Sequence, residues 1–274
     1  MKRTAVIGLG IIGGSICAAL TKAGFVVDGM DLNPDNVCYA LKNGYIHAKV
    51  EDLSEYDVVF VAVPPAATQT ILHNAVFKEG ALVADICGIK EEIEKVVYSQ
   101  PRNYRYVGIH PMAGKETSGI RSASADLFKG ANLIIVRAAQ TLEDAVAEIR
   151  AFAIAMRFGR IIECTAEEHD RKIALTSQLA HIVSNAYVKS PQVRNCDGFT
   201  GGSFQDMTRI AGVDEKIWTQ LYMGNRPYIL EELNGLITHL CVYRDAIEKG
   251  DSELLSIALK EGKAIRETIK RGND

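Results

Sequence analysis

Consecutive apolar positions, not alternating ones, mark the first part of this chain. Residues 4–9 (TAVIGL), 56–63 (YDVVFVAV), 80–86 (GALVADI), 106–109 and 133–136 (LIIV) are short runs rich in valine, isoleucine and alanine. Such runs predict strands covered on both faces, as in a parallel sheet. Residues 25–30 and 160–164 add a second and a final strand. Between them, 15–23, 34–43, 66–77, 89–98 and a stretch ending near Phe158 have helical spacing. Gly44 stops the second of these helices, Pro64-Pro65 ends the strand before the third, and Thr141 with Asp144 predicts a cap for the last. Repeated strand–helix–strand units predict an α/β domain with a parallel, doubly wound sheet over residues 1–164.

The pattern changes at Thr165. Thr165-Ala166-Glu167-Glu168 has the spacing of a capping box at the start of a long helix. From there to residue 274 the periodicity is helical and no strand is predicted. Residues 173–187 (IALTSQLAHIVSNAY) are apolar or small almost all round, as expected of a helix buried on most sides. Ile229, Leu233, Leu236, Ile237, Leu240 and Tyr243 stripe a later helix. No Pro/Gly/Ser linker separates the halves, so 165–274 is expected to be an all-helical domain. Its surplus of apolar surface predicts burial against the first domain and against a second copy, in a homodimer.

The first strand and helix are joined by Gly8-Leu9-Gly10-Ile11-Ile12-Gly13. Glycines at this spacing allow a tight turn, a close approach of backbone to a pyrophosphate, and close packing of helix on strand. The free N–H groups of the new helix would face the phosphates. The second strand ends at Asp31, where an acidic residue can accept hydrogen bonds from the adenine ribose hydroxyls. No arginine follows Asp31, so a 2′-phosphate would meet a carboxylate with no cation to offset it, and NAD is expected in preference to NADP. Val63 and Pro64 open a loop at the carboxyl end of a central strand, the edge on which such sheets bind ligands.

Composition fits a soluble, cytoplasmic enzyme with a sizeable core: 47% of residues are apolar and 24% charged. A net charge of −3 without a dense Lys/Arg block offers no field for nucleic acid. No apolar run reaches the ~20 residues of a membrane span. Lys2 and Arg3 before an uncharged run superficially resemble a signal peptide, but the four glycines inside that run and the strand that follows it oppose that reading. The six cysteines are scattered with no CxxC pair, so neither a zinc site nor a disulfide framework is expected.

Four groups are candidates for chemistry. His110 ends a strand on the ligand edge, beside a proline, and histidine is the natural general base near neutral pH. It could equally cap the strand as a structural residue. His181 lies in the middle of an apolar helix and could simply be a satisfied core histidine. Arg209, in Gly201-Gly202-Ser203-Phe204-Gln205-Asp206-Met207-Thr208-Arg209, offers a planar fork for a carboxylate, and the two glycines would let backbone approach a ligand. It could also be a surface salt-bridge arginine. His169-Asp170, just inside the capping box, could equally be a pair of solvated first-turn residues.

Together, GLGIIGGS at the start, DICGIK at 85–90, HPMAG at 110–114, EEHD at 167–170, TSQLAH at 176–181 and GGSFQDMTRIA at 201–211 resemble the prephenate/arogenate dehydrogenase family of tyrosine biosynthesis. Trp218 and Asn225 stand at the family's spacing after the last motif. The resemblance spans essentially the whole chain. It implies a Rossmann-type NAD-binding domain, an all-helical dimerisation domain and an active site in the cleft between them. It implies further that His110 is the catalytic base, that Arg209 holds a substrate carboxylate, and that His181 is a polar residue on the substrate side. One position departs from the family. Its D-x-x-S-x-K segment places a serine near the base, and here that substrate-side position is Gly88, preceded by Cys87. With 274 residues the chain has no room for a chorismate mutase segment or a regulatory domain, so a monofunctional core is expected.

Two other functions stay open on the sequence. One is a β-hydroxyacid-type dehydrogenase, which would need a catalytic lysine on the long helix, where Lys172 is the candidate. The other is a non-catalytic NAD-binding sensor, for which Gly88 is the only hint.

Overall fold

In a computed structural model, residues 2–271 are described with the exception of Glu116. Met1 and residues 272–274, the outer ends of the two expected domains, lie outside the described residues. Seven strands form one sheet: β1 (Thr4–Ile7), β2 (Val27–Met30), β3 (Val58–Val61), β4 (Leu82–Asp85), β5 (Arg105–Pro111), β6 (Asn132–Val136) and β7 (Arg160–Cys164). Their order is β2-β1-β3-β4-β5-β6-β7. Side chains alternate across the sheet with the two-residue period of a strand. Val6, Val58 and Phe60 face a core that includes Ile16, Leu20 and Phe152. Ala5, Ile7, Val59 and Val61 face another, with Leu72, Phe77, Ile93 and Tyr106. Both faces are therefore covered, which is why these strands read as unbroken apolar runs.

The sheet is not parallel throughout. β1 to β5 are parallel neighbours, but β6 runs antiparallel to β5, with β7 parallel to β6. A parallel crossover needs about a dozen residues, usually including a helix. Between β5 and β6 the described chain has only the short 3₁₀ turn Ile120–Ser122, so β6 returns alongside β5 in the opposite sense.

Helices α1 (Ile11–Lys22), α2 (Pro34–Lys42), α3 (Pro65–Asn74), α4 (Glu91–Val97) and α5 (Glu143–Ala155) connect the strands. The expected Thr141–Asp144 cap does not form. Leu142 occupies the cap position with no side-chain bond, and Thr141 Oγ1 instead accepts from the N–H of Ala138. Thr165 does cap α6 (Ala166–Ile173), accepting from Glu168 N at 3.1 Å.

Every described element after Cys164 is helical. The stretch expected as one helix over 173–187 is broken into a π-helical turn (Ala174–Leu179) and α7 (Ala180–Tyr187). It is buried on one side only, since Leu175 and Tyr187 are exposed while Gln178, Leu179 and Ser184 are buried. Two shorter helices, α8 (Gly202–Thr208) and α9 (Glu215–Gly224), complete a compact unit that ends at Asn225.

A second compact unit begins at Arg226. It is a helical hairpin of α10 (Arg226–Lys249) and α11 (Ser252–Arg271), turned at Gly250, whose φ is +66°. The Tyr243 hydroxyl donates to Ala258 O across the pair. Ile237, Leu240 and Ile247 on α10, and Leu254, Ile257, Leu259, Ile265 and Ile269 on α11, are exposed. Among the described residues no helix is long and apolar enough to cross a membrane.

Candidate active site

The strand order lays the expected site out along one edge of the sheet. Asp31 follows β2, the glycine loop follows β1, Val63 and Pro64 follow β3, Gly88 follows β4, and His110 lies near the end of β5. These five strands are adjacent and parallel, so their carboxyl ends lie in a row, one strand spacing of ~4.8 Å apart. The order reverses between β1 and β3, the point at which such sheets open a ligand crevice.

The loop geometry fits a dinucleotide. Gly8 has φ +90°, and a Cβ there would overlap Ala62 O. A Cβ on Gly13 would overlap Gly8 O, so Gly13 is what lets α1 pack against the turn. At Gly10, by contrast, no atom of the chain lies within 4 Å of a Cβ position. Gly10 is also the cap of α1, which has no side-chain cap and no acidic residue in its first turn. The N–H groups around Ile11 and Ile12 are therefore offered to an anion. Asp31 is held beside them. Its Oδ2 accepts from Leu9 N at 2.6 Å and its Oδ1 from Asn33 N at 2.8 Å. Val63 flanks Gly8 and accepts the Thr68 hydroxyl at its carbonyl, while Pro64 caps α3. Asp31→Ala should narrow the preference for NAD over NADP, chiefly by weakening NAD. Steady-state KM values for both cofactors check this, and a native protein that uses NADP better than NAD would overturn the role of Asp31.

A buried ion pair fixes the ends of β4 and β5. Lys90 and Asp85 are both 0% exposed, with Lys90 Nζ 2.6 Å from Asp85 Oδ1. Lys90 also donates to Ile109 O at 2.7 Å, immediately before His110. Asp85 takes the Tyr106 hydroxyl at 2.6 Å and Cys87 N at 2.8 Å. Every charge is thus matched and hydrogen-bonded, the condition under which a buried pair is tolerated. Gly108 makes the room, since a Cβ there would press on Lys90 Cδ at 3.3 Å. Lys90→Met would leave Asp85 charged and unpaired, costing about 3–5 kcal/mol. A urea titration should show a lower unfolding midpoint, and an unchanged midpoint would contradict this account of the pair.

His110 does not stand alone. Its Nδ1 lies 2.9 Å from Nε2 of His169, and His169 Nδ1 lies 2.6 Å from Asp170 Oδ1. The reading of His169-Asp170 as solvated residues is therefore corrected: they are 1% and 0% exposed. Asp170 docks on the start of α4, accepting from Lys90 N at 2.9 Å and Glu91 N at 2.9 Å. Burial raises its pKa to about 6 against the pull of those N–H groups, so it is ionised at neutral pH. Burial, with the Lys90 charge nearby, lowers His169 to about 3. His110 is pushed well below the usual histidine value, first by loss of solvent, then by His169 and Lys90. Both rings are thus neutral at physiological pH.

Gly88 faces the other edge of the His110 ring. A Cβ on Gly88 would sit 3.9 Å from His110 Cε1 and Nε2, and 3.3 Å from Leu221 Cδ2. The position that carries a serine in the family pattern is thus in place, without its hydroxyl.

The later motifs meet behind and beside this group. Asn225 donates to Asp170 O at 2.8 Å and to Gln178 Oε1 at 2.6 Å. His181 is half-buried, bonded through Nδ1 to Ser177 O at 2.9 Å, and packed at a 36° tilt against Trp218 with ring centroids 4.0 Å apart. Ser184 and Asn185, three and four residues beyond His181 and so on its face of α7, bind Met207 O and Ala211 O. The 201–211 segment is therefore pinned over that face. Arg209, at the end of α8, is exposed, and no chain atom lies within 4 Å of a Cβ on Gly201 or Gly202. Lys172 is on the surface, paired with Glu168, which gives the β-hydroxyacid reading no catalytic lysine. No group of three or more metal-ligating side chains occurs among the described residues.

Comparison with known proteins decides the family. Residues 16–162 match the family model for the nucleotide-binding domain of prephenate dehydrogenase, and 165–261 match that for its dimerization domain. The chain belongs to the prephenate dehydrogenase family. It is 31% identical to a prephenate dehydrogenase of Lactococcus lactis, over 98% of this chain and 78% of that one. A cyclohexadienyl dehydrogenase of Zymomonas mobilis is 28% identical over 100% of this chain and 98% of its own. Among solved structures, prephenate dehydrogenase from Aquifex aeolicus in complex with hydroxyphenyl propionate and NAD+ superposes with a TM-score of 0.84 at 26% identity, covering 98% of each chain. Within this family, the row of loops from Asp31 to His110 corresponds to a nucleotide-binding domain.

Proposed function

We propose that this protein is an NAD-dependent dehydrogenase that converts prephenate to 4-hydroxyphenylpyruvate, or arogenate to tyrosine, with His110 as general base. The observation that carries this reading is the place of His110: on the ligand edge, three strands beyond the cofactor loop of β1 and two beyond that of β3, with its Nε2 edge turned to the Gly88 position. NAD held along that edge supplies the hydride acceptor. The glycine loop and the start of α1 bind its phosphates, Asp31 holds the ribose, and Val63 and Pro64 flank the path toward His110.

The substrate is a cyclohexadienol with a ring carboxylate and a charged side chain. Hydride leaves the carbon that bears the hydroxyl, and His110 Nε2 takes the hydroxyl proton as the ketone forms. The ring carboxylate then departs as carbon dioxide, its bonding pair entering the ring to give a phenolate. His110 returns the proton to that oxygen, so no proton is consumed overall. Aromatisation makes the sequence effectively irreversible. Arg209 holds a substrate carboxylate through a charged fork, and His181 offers Nε2 to a substrate hydroxyl or amine, because its Nδ1–H is committed to Ser177. At Gly88 a water or cofactor hydroxyl takes the place of the missing side chain.

The helices from Thr165 onward serve as the dimerisation domain, with its boundary at 164/165. A second copy covers the exposed apolar residues of α10 and α11 in a cytoplasmic homodimer. Reduced-nicotinamide absorbance, followed with NAD and either prephenate, arogenate or a 3-hydroxyacid, tests the activity. Turnover with prephenate or arogenate is expected, and turnover only with the 3-hydroxyacid, or with none, would refute it.

A further inference from the structure

We infer that His169 and Asp170 are positioning residues that set the tautomer of His110, so that its Nε2 carries the lone pair needed to accept the substrate proton. This rests on His110 being the base. The direction of the hydrogen bonds follows from the inner end. Both oxygens of Asp170 already accept backbone N–H groups, Oδ1 from Lys90 and Oδ2 from Lys90 and Glu91. The carboxylate has only acceptor capacity to offer His169, so at the 2.6 Å contact His169 Nδ1 is the donor. In a neutral ring the other nitrogen is then an acceptor. His169 Nε2 consequently receives the proton of His110 Nδ1 across 2.9 Å. That leaves the lone pair of His110 on Nε2, the atom facing Gly88.

The same chain of bonds stabilises the protonated base. When Nε2 takes the proton, His110 becomes a cation that still donates from Nδ1 to His169, and the Asp170 carboxylate lies behind His169. The anion is itself held by the Lys90 and Glu91 N–H groups at the start of α4, and its main chain by Asn225. Without His169, nothing in this chain of bonds chooses between the tautomers of His110, and an imidazole with its proton on Nε2 cannot accept another there. Loss of the correct tautomer in a related histidine–carboxylate arrangement lowers kcat by about 10⁴-fold.

The test uses full-length protein labelled with ¹⁵N-histidine. Two-bond proton–nitrogen correlations identify each tautomer, and the His110 signals are those missing from His110→Asn. The expected result is an Nδ1–H tautomer for His110 in the wild type. His169→Leu should shift it toward Nε2–H and lower kcat about 10- to 100-fold, a fraction of the full general-base contribution. KM for substrate and affinity for NAD should stay unchanged. His169→Gln keeps an acceptor within reach of His110 Nδ1 and should recover most of the loss. An Nε2–H tautomer in the wild type overturns the inference, even if His169→Leu fails to fold. So does a wild-type kcat in His169→Leu. If His110→Asn is inactive while His169→Leu is normal, only the positioning role falls; if His110→Asn is active, the base assignment itself is wrong.

Discussion

His110→Asn should lower kcat by about 10²- to 10⁴-fold, the usual contribution of a general base, and leave NAD affinity unchanged. In the proposed mechanism the ring accepts the hydroxyl proton while hydride departs, so its loss should be felt in the transition state and not in substrate binding. Asparagine is close in size, and its amide can occupy the Nδ1 position next to His169, which limits any disturbance of the Asp170 anchor. The cofactor loops lie on β1, β2 and β3, two or more strands from His110, so their geometry should not change. Single-turnover rates with prephenate, alongside NAD titration by tryptophan fluorescence, separate the two effects. Unchanged turnover would make His110 a structural residue.

Arg209→Lys should lower kcat/KM roughly 10- to 150-fold, the equivalent of about 1.5–3 kcal/mol for a charge-assisted hydrogen bond. Lysine keeps the charge but loses the planar fork, and with it one of two parallel bonds and the orientation they impose. The effect should fall mostly on KM for prephenate, because the bound carboxylate is charged in the ground state and gains little in the transition state. The position of the residue supports this: its segment is pinned to α7 by Ser184 and Asn185, on the face that carries His181. A normal KM for prephenate, or a fall in NAD affinity instead, would remove Arg209 from the substrate site.

Much of the architecture was legible because both sheet faces are covered. Buried strands read as unbroken apolar runs, and Gly8 and Gly13 of the first loop have steric reasons visible in the structure, while Gly10 leaves open space. The antiparallel turn into β6 was not legible, since strand direction depends on the absence of a crossover helix between β5 and β6, and apolar runs carry no direction. The Thr141 cap failed for a local reason: the same hydroxyl can accept from Ala138 N and fold a turn instead.

His169 and Asp170 were the main omission. Two charged or polar residues after a capping box look like a solvated first turn. Yet Ala166, His169, Asp170 and Ile173 follow the spacing i, i+3, i+4, i+7, and all four are the buried residues of α6. That periodicity was the available signal, and polarity masked it. Lys90 was hidden similarly. A lysine in DICGIK reads as exposed, and only the fold supplies Asp85 and the Ile109 carbonyl that make its burial tolerable. Trp218 and Asn225 were visible as family spacing, but their partners, His181, Gln178 and the Asp170 carbonyl, required the three-dimensional arrangement.

The most direct measurement is the stoichiometry of the reaction. Prephenate labelled with ¹⁴C in its ring carboxylate is incubated with the protein and NAD, and labelled carbon dioxide is counted against reduced nicotinamide. Equal amounts of the two, both formed more slowly to the same extent in His110→Asn, are expected if hydride loss, proton transfer and decarboxylation occur at one site. Reduced nicotinamide without labelled carbon dioxide, or neither product when arogenate is also inactive, would contradict the account.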